Sequence, residues 1–369
     1  MSGGKLAAAL AVSALMLIWP ACARADVFNM DPNIYGAGVK SLQFVTVDSP
    51  GNAADTRVNL LDGTSGYGSV AYTYQMGMYD VTAAQYCQFL NAVAATDTYG
   101  LYRTNMATLG PTNWGCGLIR SGSSGSYTYS ATGKPNFPVN YVSWGDAARF
   151  CNWLTNGQPT GAQDSNTTED GAYYLNGAIT VAELMAVTRK PTAVYVIPTE
   201  DEWYKAAYYD PNMPGGAGYW LYATRSNNMP SNVLDPTGTN NANFCARWPD
   251  VNSYTDPNYG LTEVGAFAAS PGPFGTFDMG GNVFQWTEAS NTSDSGRYIR
   301  GGVFYSVVDR ADVRQAIRPD SFYNYADWQG FRVAEVPEPA SMAFLALGGI
   351  GMLMRRRFGF AHRQRGLRR

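Results

Sequence analysis

Apolar residues recur at helical spacing in three places, and elsewhere they alternate or scatter. In AAQYCQFLNAVAA, Tyr86, Phe89, Leu90 and Val93 fall on one face, and Thr82 stands where an N-cap belongs. A second helix is expected over GDAARFCNWLTNG, capped from Tyr141–Trp144, with Ala147, Phe150, Cys151 and Leu154 inward and Gly157 at its exit. A third opens at Thr199, where Glu202 completes a capping-box pattern ahead of WYKAAYY. Strands are expected over Ser41–Val47, Val70–Tyr79 and Val194–Pro198, and strand-like segments with turns over Gly275–Trp286 and Tyr298–Val333. The stretches 48–68, 96–138, 158–193 and 211–270 are rich in Gly, Asn, Ser and Pro and read as loop. Within them, one or two short strands are expected in 96–138 and a hairpin around Tyr173–Thr180. A compact domain holds this much loop only if the loops bury their own aromatics or clamp ions. No internal repeat and no linker divides the body.

Composition agrees with an ordered domain. Of 369 residues, 14% are aromatic and only 15% charged, the opposite of a disordered balance. The single histidine, His362, lies near the C-terminus, so the body has no histidine chemistry. Both ends read as signals. Lys5, the apolar run from Leu6 to about Trp19, and Ala23-Arg24-Ala25 predict a secretory signal peptide over 1–25, cleaved before Asp26. An uncleaved anchor is the alternative, and Cys22 leaves lipidation open. Residues 26–354 carry 17 basic against 29 acidic residues, a net charge near -12. That balance excludes a nucleic-acid partner, because nothing offsets phosphate repulsion, and it suits calcium or neutral polar partners. Cys87, Cys116, Cys151 and Cys245 could form two bridges in an oxidising compartment, or serve as small core residues.

At the other end, Pro337-Glu338-Pro339 precedes fifteen apolar or small residues, Ala340–Met354, and then Arg355–Arg357. Such a run is short for a membrane span, although a marginal transmembrane helix anchored by the arginines is one expectation. The order of Pro-Glu-Pro, apolar stretch and basic cluster over 336–369 resembles the PEP-CTERM sorting signal. That resemblance implies an exosortase-type processing enzyme as partner. It also implies passage through the inner membrane of a Gram-negative bacterium and a final place at the cell surface or in the extracellular matrix.

The body between the signals, 26–335, carries a second resemblance. MYDVTAAQYCQFLNAV, FPVNYVSWGDAARFCNWL, IPTEDEWYKAAYY, GPFGTFDMGGNVFQWTEA, YIRGGVFYS and GFRVAEV occur in this order. Together they resemble the formylglycine-generating enzyme, or sulfatase-modifying factor, domain family from about Val45 to Val336. The resemblance implies an α+β, C-type-lectin-like fold with few helices, short antiparallel strands and long loops. In the oxidases of this family two cysteines after the Gly-Gly motif bind copper, for which soft thiolates are suited. Here those positions fall on Ser306 and Ala311, so no catalytic residue and no copper is expected. The iron-dependent relatives need a histidine cluster that the body lacks. Ser306, Asp309, Arg310 and Arg314 form a polar cluster with no histidine or lysine to activate the serine, and read as a ligand-binding or solvated face. Arg314 and Arg318 suit acidic groups in a groove or core carboxylates.

Calcium is the remaining implied cofactor. By resemblance, one site maps to Asn243 and Asp256 by side chain and to Phe244 and Asn258 by carbonyl. The other maps to Asp278 and Gln285 by side chain and to Gly281 and Val283 by carbonyl, with Gln285 where the family has glutamate. The expectation is an exported, surface-associated, non-catalytic binding domain for an extracellular polysaccharide or peptide. A divergent oxidase or other modifying enzyme acting on cysteine-containing peptides is the alternative, and a purely structural matrix protein a third reading.

Overall fold

The computed structural model describes residues 41–59, 63–110, 114–131, 133–247, 249–291, 293, 295–306 and 328–337, together with the backbone of 314–317. Three capped helices form where the apolar periodicity places them. Helix α1, Ala83–Val93, starts at Thr82, whose hydroxyl accepts from Gln85 N at 3.2 Å while Gln85 Oε1 accepts from Thr82 N at 3.0 Å. Helix α2, Trp144–Thr155, repeats this exchange with Ser143 and Asp146. A short helix not expected from the sequence, α3, Val181–Ala186, uses Thr180 and Glu183. Helix α4, Glu200–Tyr208, uses Thr199 and Glu202. Each reciprocal pair satisfies two backbone donors that would otherwise end unpaired.

Strands are shorter than the alternating pattern suggests. Strands β1 (Phe44–Val47) and β2 (Tyr74–Gly77) pair antiparallel, Phe44 opposite Gly77. Strand β12 (Ala334–Glu335), from the far end of the domain, inserts between β2 and β5 (Tyr195–Val196). A second open sheet runs β10-β9-β8-β11, from Arg314–Ile317, Gly296–Arg300, Phe284–Asn291 and Gln329–Gly330. Its β8–β9 ladder shifts register between Trp286 and Ser290, and β11 runs parallel to β8. Two small hairpins complete the set: β3 (Ile119–Ser121) with β4 (Thr128–Ser130), and β6 (Tyr209–Asp210) with β7 (Gly218–Tyr219). The strand expected over Val70–Tyr79 is limited to the four residues that pair with β1, of which Gln75 and Met76 also pair with β12. The one expected over Gly275–Trp286 begins only at Phe284, because Gly275, Asp278, Gly281 and Asn282 all have positive φ. No hairpin forms within 173–180; Tyr173 instead bridges to Arg189.

The core sits between the helices and both sheets. Phe89 of α1 and Phe150 of α2 meet edge-on at 5.3 Å, and Phe331 meets Phe150 at 5.2 Å. Trp144, Trp153, Trp203 and Trp286 are fully buried. Burial of each large side chain stabilises by roughly 2–3 kcal/mol, which offsets the scarcity of regular structure. Ion pairs fasten loops to this core, Arg149 to Glu169 at 2.7 Å and half-buried Arg189 to both Glu202 and Glu288 at 2.9 and 2.8 Å, while Arg300 to Glu200 at 2.7 Å joins β9 to α4. The long loops thus bury their own polar groups as pairs, as a loop-heavy domain requires.

Among the described residues no helix is long and apolar enough to cross a membrane. The expectation of a transmembrane helix is corrected accordingly. The run Ala340–Met354 lies outside the described residues, and its fifteen residues fall short of the roughly 20 that a spanning helix needs.

Candidate functional site

The site that the family motifs converge on begins where β9 ends. Gly301 and Gly302 follow Arg300 with φ of 99° and 76°, and a Cβ on Gly301 would lie 2.7 Å from the Met279 carbonyl oxygen. The chain can turn there only without side chains. Val303 and Phe304 then enter the core, while Tyr305 and Ser306 emerge half-buried. Ser306 is committed to this turn: its hydroxyl accepts from Val303 N at 3.1 Å, and its own N–H donates to the Val303 carbonyl at 2.8 Å.

The structure adds a neighbour that sequence distance concealed. Cys245 N donates to the Ser306 carbonyl at 2.9 Å, and the buried Cys245 thiol lies 3.1 Å from the Ser253 hydroxyl. Sequence separation from the Gly-Gly segment therefore does not keep every cysteine away, although the bond to the Ser306 turn is made by the Cys245 backbone and not by its thiol. Cys87, Cys116 and Cys151 are buried and free, so the disulfide alternative is not realised among these four residues. Burial pushes all three thiols up, Cys116 to about 11, which suppresses the thiolate form a soft metal would need. Among the described residues no group of three or more His, Cys, Asp or Glu could hold a metal ion. Ala311, Asp309, Arg310 and Arg318 lie outside the described residues, and Arg314 is placed only as backbone in β10.

Beside Ser306 runs a wall of aromatic rings. Trp114 meets Phe304 at 5.4 Å and Tyr254 at 5.6 Å, Phe304 meets Tyr305 at 5.3 Å, and Tyr305 meets Trp328 at 4.1 Å. Phe304 and Tyr254 are buried, whereas Trp114, Tyr305 and Trp328 keep part of their surface in solvent. Gly260 lets the wall close, since a Cβ there would lie 2.7 Å from Phe304 and 2.9 Å from Trp114. Sequence reading missed this assembly because its members come from four separate loop segments with no shared period. Phe304 and Tyr305 belong to the YIRGGVFYS motif and Trp328 lies two residues ahead of Gly330-Phe331-Arg332, whereas Trp114 and Tyr254 belong to no motif.

The eight implied calcium positions divide into two neighbourhoods, which meet where Asn282 N donates to the Asn243 carbonyl at 2.9 Å. In the first, Asn243 is buried and its Nδ2 donates to the Gly260 carbonyl, Asn282 Oδ1 and Thr262 Oγ1. Its Oδ1 is buried without a hydrogen-bond partner, the condition in which an oxygen gains from a cation. Half-buried Asp256 accepts from Asn258 N and Tyr259 N through one oxygen. The buried Phe244 carbonyl accepts from Asn232 Nδ2 and Thr255 Oγ1, and Asn258 is exposed.

In the second neighbourhood Gly281 and Val283 are buried in the turn, and Gln285 is fully buried on β8. Gln285 Nε2 donates to the Asp278 carbonyl at 2.7 Å, so these two are brought together, but through the amide nitrogen. Gln285 Oε1 accepts from Trp203 Nε1 at 2.7 Å and from Arg332 Nε at 3.2 Å. The Asp278 carboxylate accepts from Gly265 N at 2.6 Å. Burial raises the Asp278 pKa to about 6, with the Gly265 bond and the Arg332 charge pulling it down. Asn243 Oδ1 is thus buried without a donor in the first set, whereas in the second set Gln285 Oε1 is held by two donors and one Asp278 carboxylate oxygen by one.

The fold defines an α+β protein with open sheets and few helices. The chain belongs to the family described as the sulfatase-modifying factor enzyme 1-like domain, which matches residues 66–336. The PEP-CTERM protein-sorting motif matches residues 335–357, a signal characteristic of exported proteins processed by an exosortase-type system. No curated protein sequence matches the chain. Among solved structures it is similar to CarF, at 21% identity and TM-score 0.44, over 80% of this chain and 98% of that one. It is also similar to Treponema denticola variable protein 1, at 19% identity and TM-score 0.47, over 82% of this chain and 98% of that one. PvdO from Pseudomonas aeruginosa matches at 18% identity and TM-score 0.43, over 80% of this chain and 95% of that one.

Proposed function

We propose that the chain is an exported, surface-associated domain that binds an extracellular glycan or peptide and has no catalytic role. The observation that carries this reading is the pairing of Ser306, in the first copper-ligand position, with the half-exposed ring wall of Trp114, Tyr305 and Trp328. A hydroxyl already engaged with the backbone is a poor soft-metal ligand, and Ala311 offers none. Ring faces, by contrast, stack on sugars or peptide side chains at low entropic cost. The short sheets that carry long loops support a C-type-lectin-like presentation of that wall. In this reading residues 1–25 are a signal peptide, 26–335 the binding domain, and 336–369 the sorting signal by which an exosortase-type enzyme delivers it to the surface. Asn243, Phe244, Asp256 and Asn258 would hold a calcium ion that stiffens the loop behind Cys245. A divergent oxidase is the second reading, favoured by the backbone bond that brings Cys245 to the Ser306 turn.

Titrating the purified chain with neutral polysaccharides, acidic polysaccharides and a cysteine-containing peptide, and following tryptophan fluorescence, tests the choice. Saturable quenching is expected with one of them. Trp328→Ala should weaken it about tenfold, the loss of one aromatic anchor worth about 1.4 kcal/mol, measured at a temperature where the variant is still folded by circular dichroism. Absence of saturable binding to all three would sink the binding reading, and turnover of the peptide would establish the second.

A further inference from the structure

We propose that a neutral hydrogen-bonded clasp centred on Gln285 takes the place of the second calcium implied by the family resemblance, so that the turn before β8 is held without metal. Gln285 is fully buried, and both groups facing its Oε1, Trp203 Nε1–H and Arg332 Nε–H, can only donate. The side-chain carbonyl must therefore face them, and the amide nitrogen must face the other way. It does so, donating to the Asp278 carbonyl at 2.7 Å. A flipped amide would set N–H against N–H on one side and oxygen against oxygen on the other.

A glutamate at this position would keep one oxygen for Trp203 and Arg332. Its second oxygen would then confront the Asp278 carbonyl, and two facing oxygens are an arrangement that a hard cation relieves. The glutamine removes the need by placing an N–H between them. The neighbouring guanidinium of Arg332, fully buried, further opposes a second positive charge in the same place. With Gln285 neutral, Asp278 is the only carboxylate of the four implied ligands, too little charge for a calcium site of ordinary affinity.

The test counts calcium bound by the full chain after chelation and readdition of calcium chloride, by calorimetry and elemental analysis. Wild type and Asp278→Asn should bind the same number, because Asp278 ligates nothing. Gln285→Glu should bind one more than wild type, and chelation should lower its melting temperature more than that of wild type. Occupancy of the Asn243 set adds equally to all three proteins and leaves the comparison intact. Loss of one calcium in Asp278→Asn, or a folded Gln285→Glu with no gain, would overturn the proposal. Should Gln285→Glu fail to fold, the Asp278→Asn comparison decides it alone.

Discussion

Replacing Arg332 with methionine is expected to destabilise the domain by about 4 kcal/mol, read as a fall in the urea midpoint with unchanged slope. Arg332 is fully buried and tied to four partners from three parts of the chain. Nη1 donates to the Gly77 carbonyl at 2.7 Å, Nη2 to the Phe277 carbonyl at 2.6 Å and to Asp80 at 3.4 Å, and Nε to Gln285. Methionine would fill much of the volume and satisfy none of these acceptors. Burial already drives the Asp80 pKa well above the usual carboxylate range, with Arg332 the main group opposing it. Without the guanidinium, Asp80 is stranded, so adding Asp80→Asn to the methionine variant should recover part of the loss. A cost below about 1 kcal/mol would mean that this cluster does not hold β2, β12 and the Asp278 turn together.

Gly281→Ala should be nearly as damaging, at about 3 kcal/mol in the same assay. Two effects combine. Gly281 has a φ of 84°, which costs an alanine about 1 kcal/mol. A Cβ there would also lie 2.2 Å from the Asn243 carbonyl oxygen and 2.9 Å from its carbon, both backbone atoms. That same carbonyl receives Asn282 N, so the turn and the Asn243 segment cannot move apart without losing a buried hydrogen bond. Gly275→Ala serves as the comparison. Its φ of 88° is similar, yet the nearest atom to an added Cβ is Val45 Cγ1 at 3.7 Å. Its loss should stop at about 1 kcal/mol, and equal losses in the two variants would refute the close-approach argument.

The helices were legible because their signals are local. Thr82, Thr199 and the apolar faces behind them act within one or two turns of chain. Helix α3 has a weaker sequence signal although Thr180 and Glu183 carry the same signature, since its six residues bury only Leu184. Strand lengths were not legible, because a strand ends where its partner ends. Strand β12 arrives from more than 250 residues away to pair with β2. The motif turns could be read from glycine, whereas the copper-ligand positions assigned to Ser306 and Ala311 rest on the family resemblance. The ring wall and the Cys245–Ser306 contact could not, since each joins loops far apart in sequence. Nor could the orientation of Gln285, which depends on two donors contributed by α4 and the segment after β11.

Elemental mass spectrometry of the purified, exported protein tests most directly whether this domain has left oxidase chemistry behind. Copper should fall far below one equivalent per chain, even after incubation with Cu(I) and removal of the excess. Retention of about one tightly bound copper per chain would contradict the account.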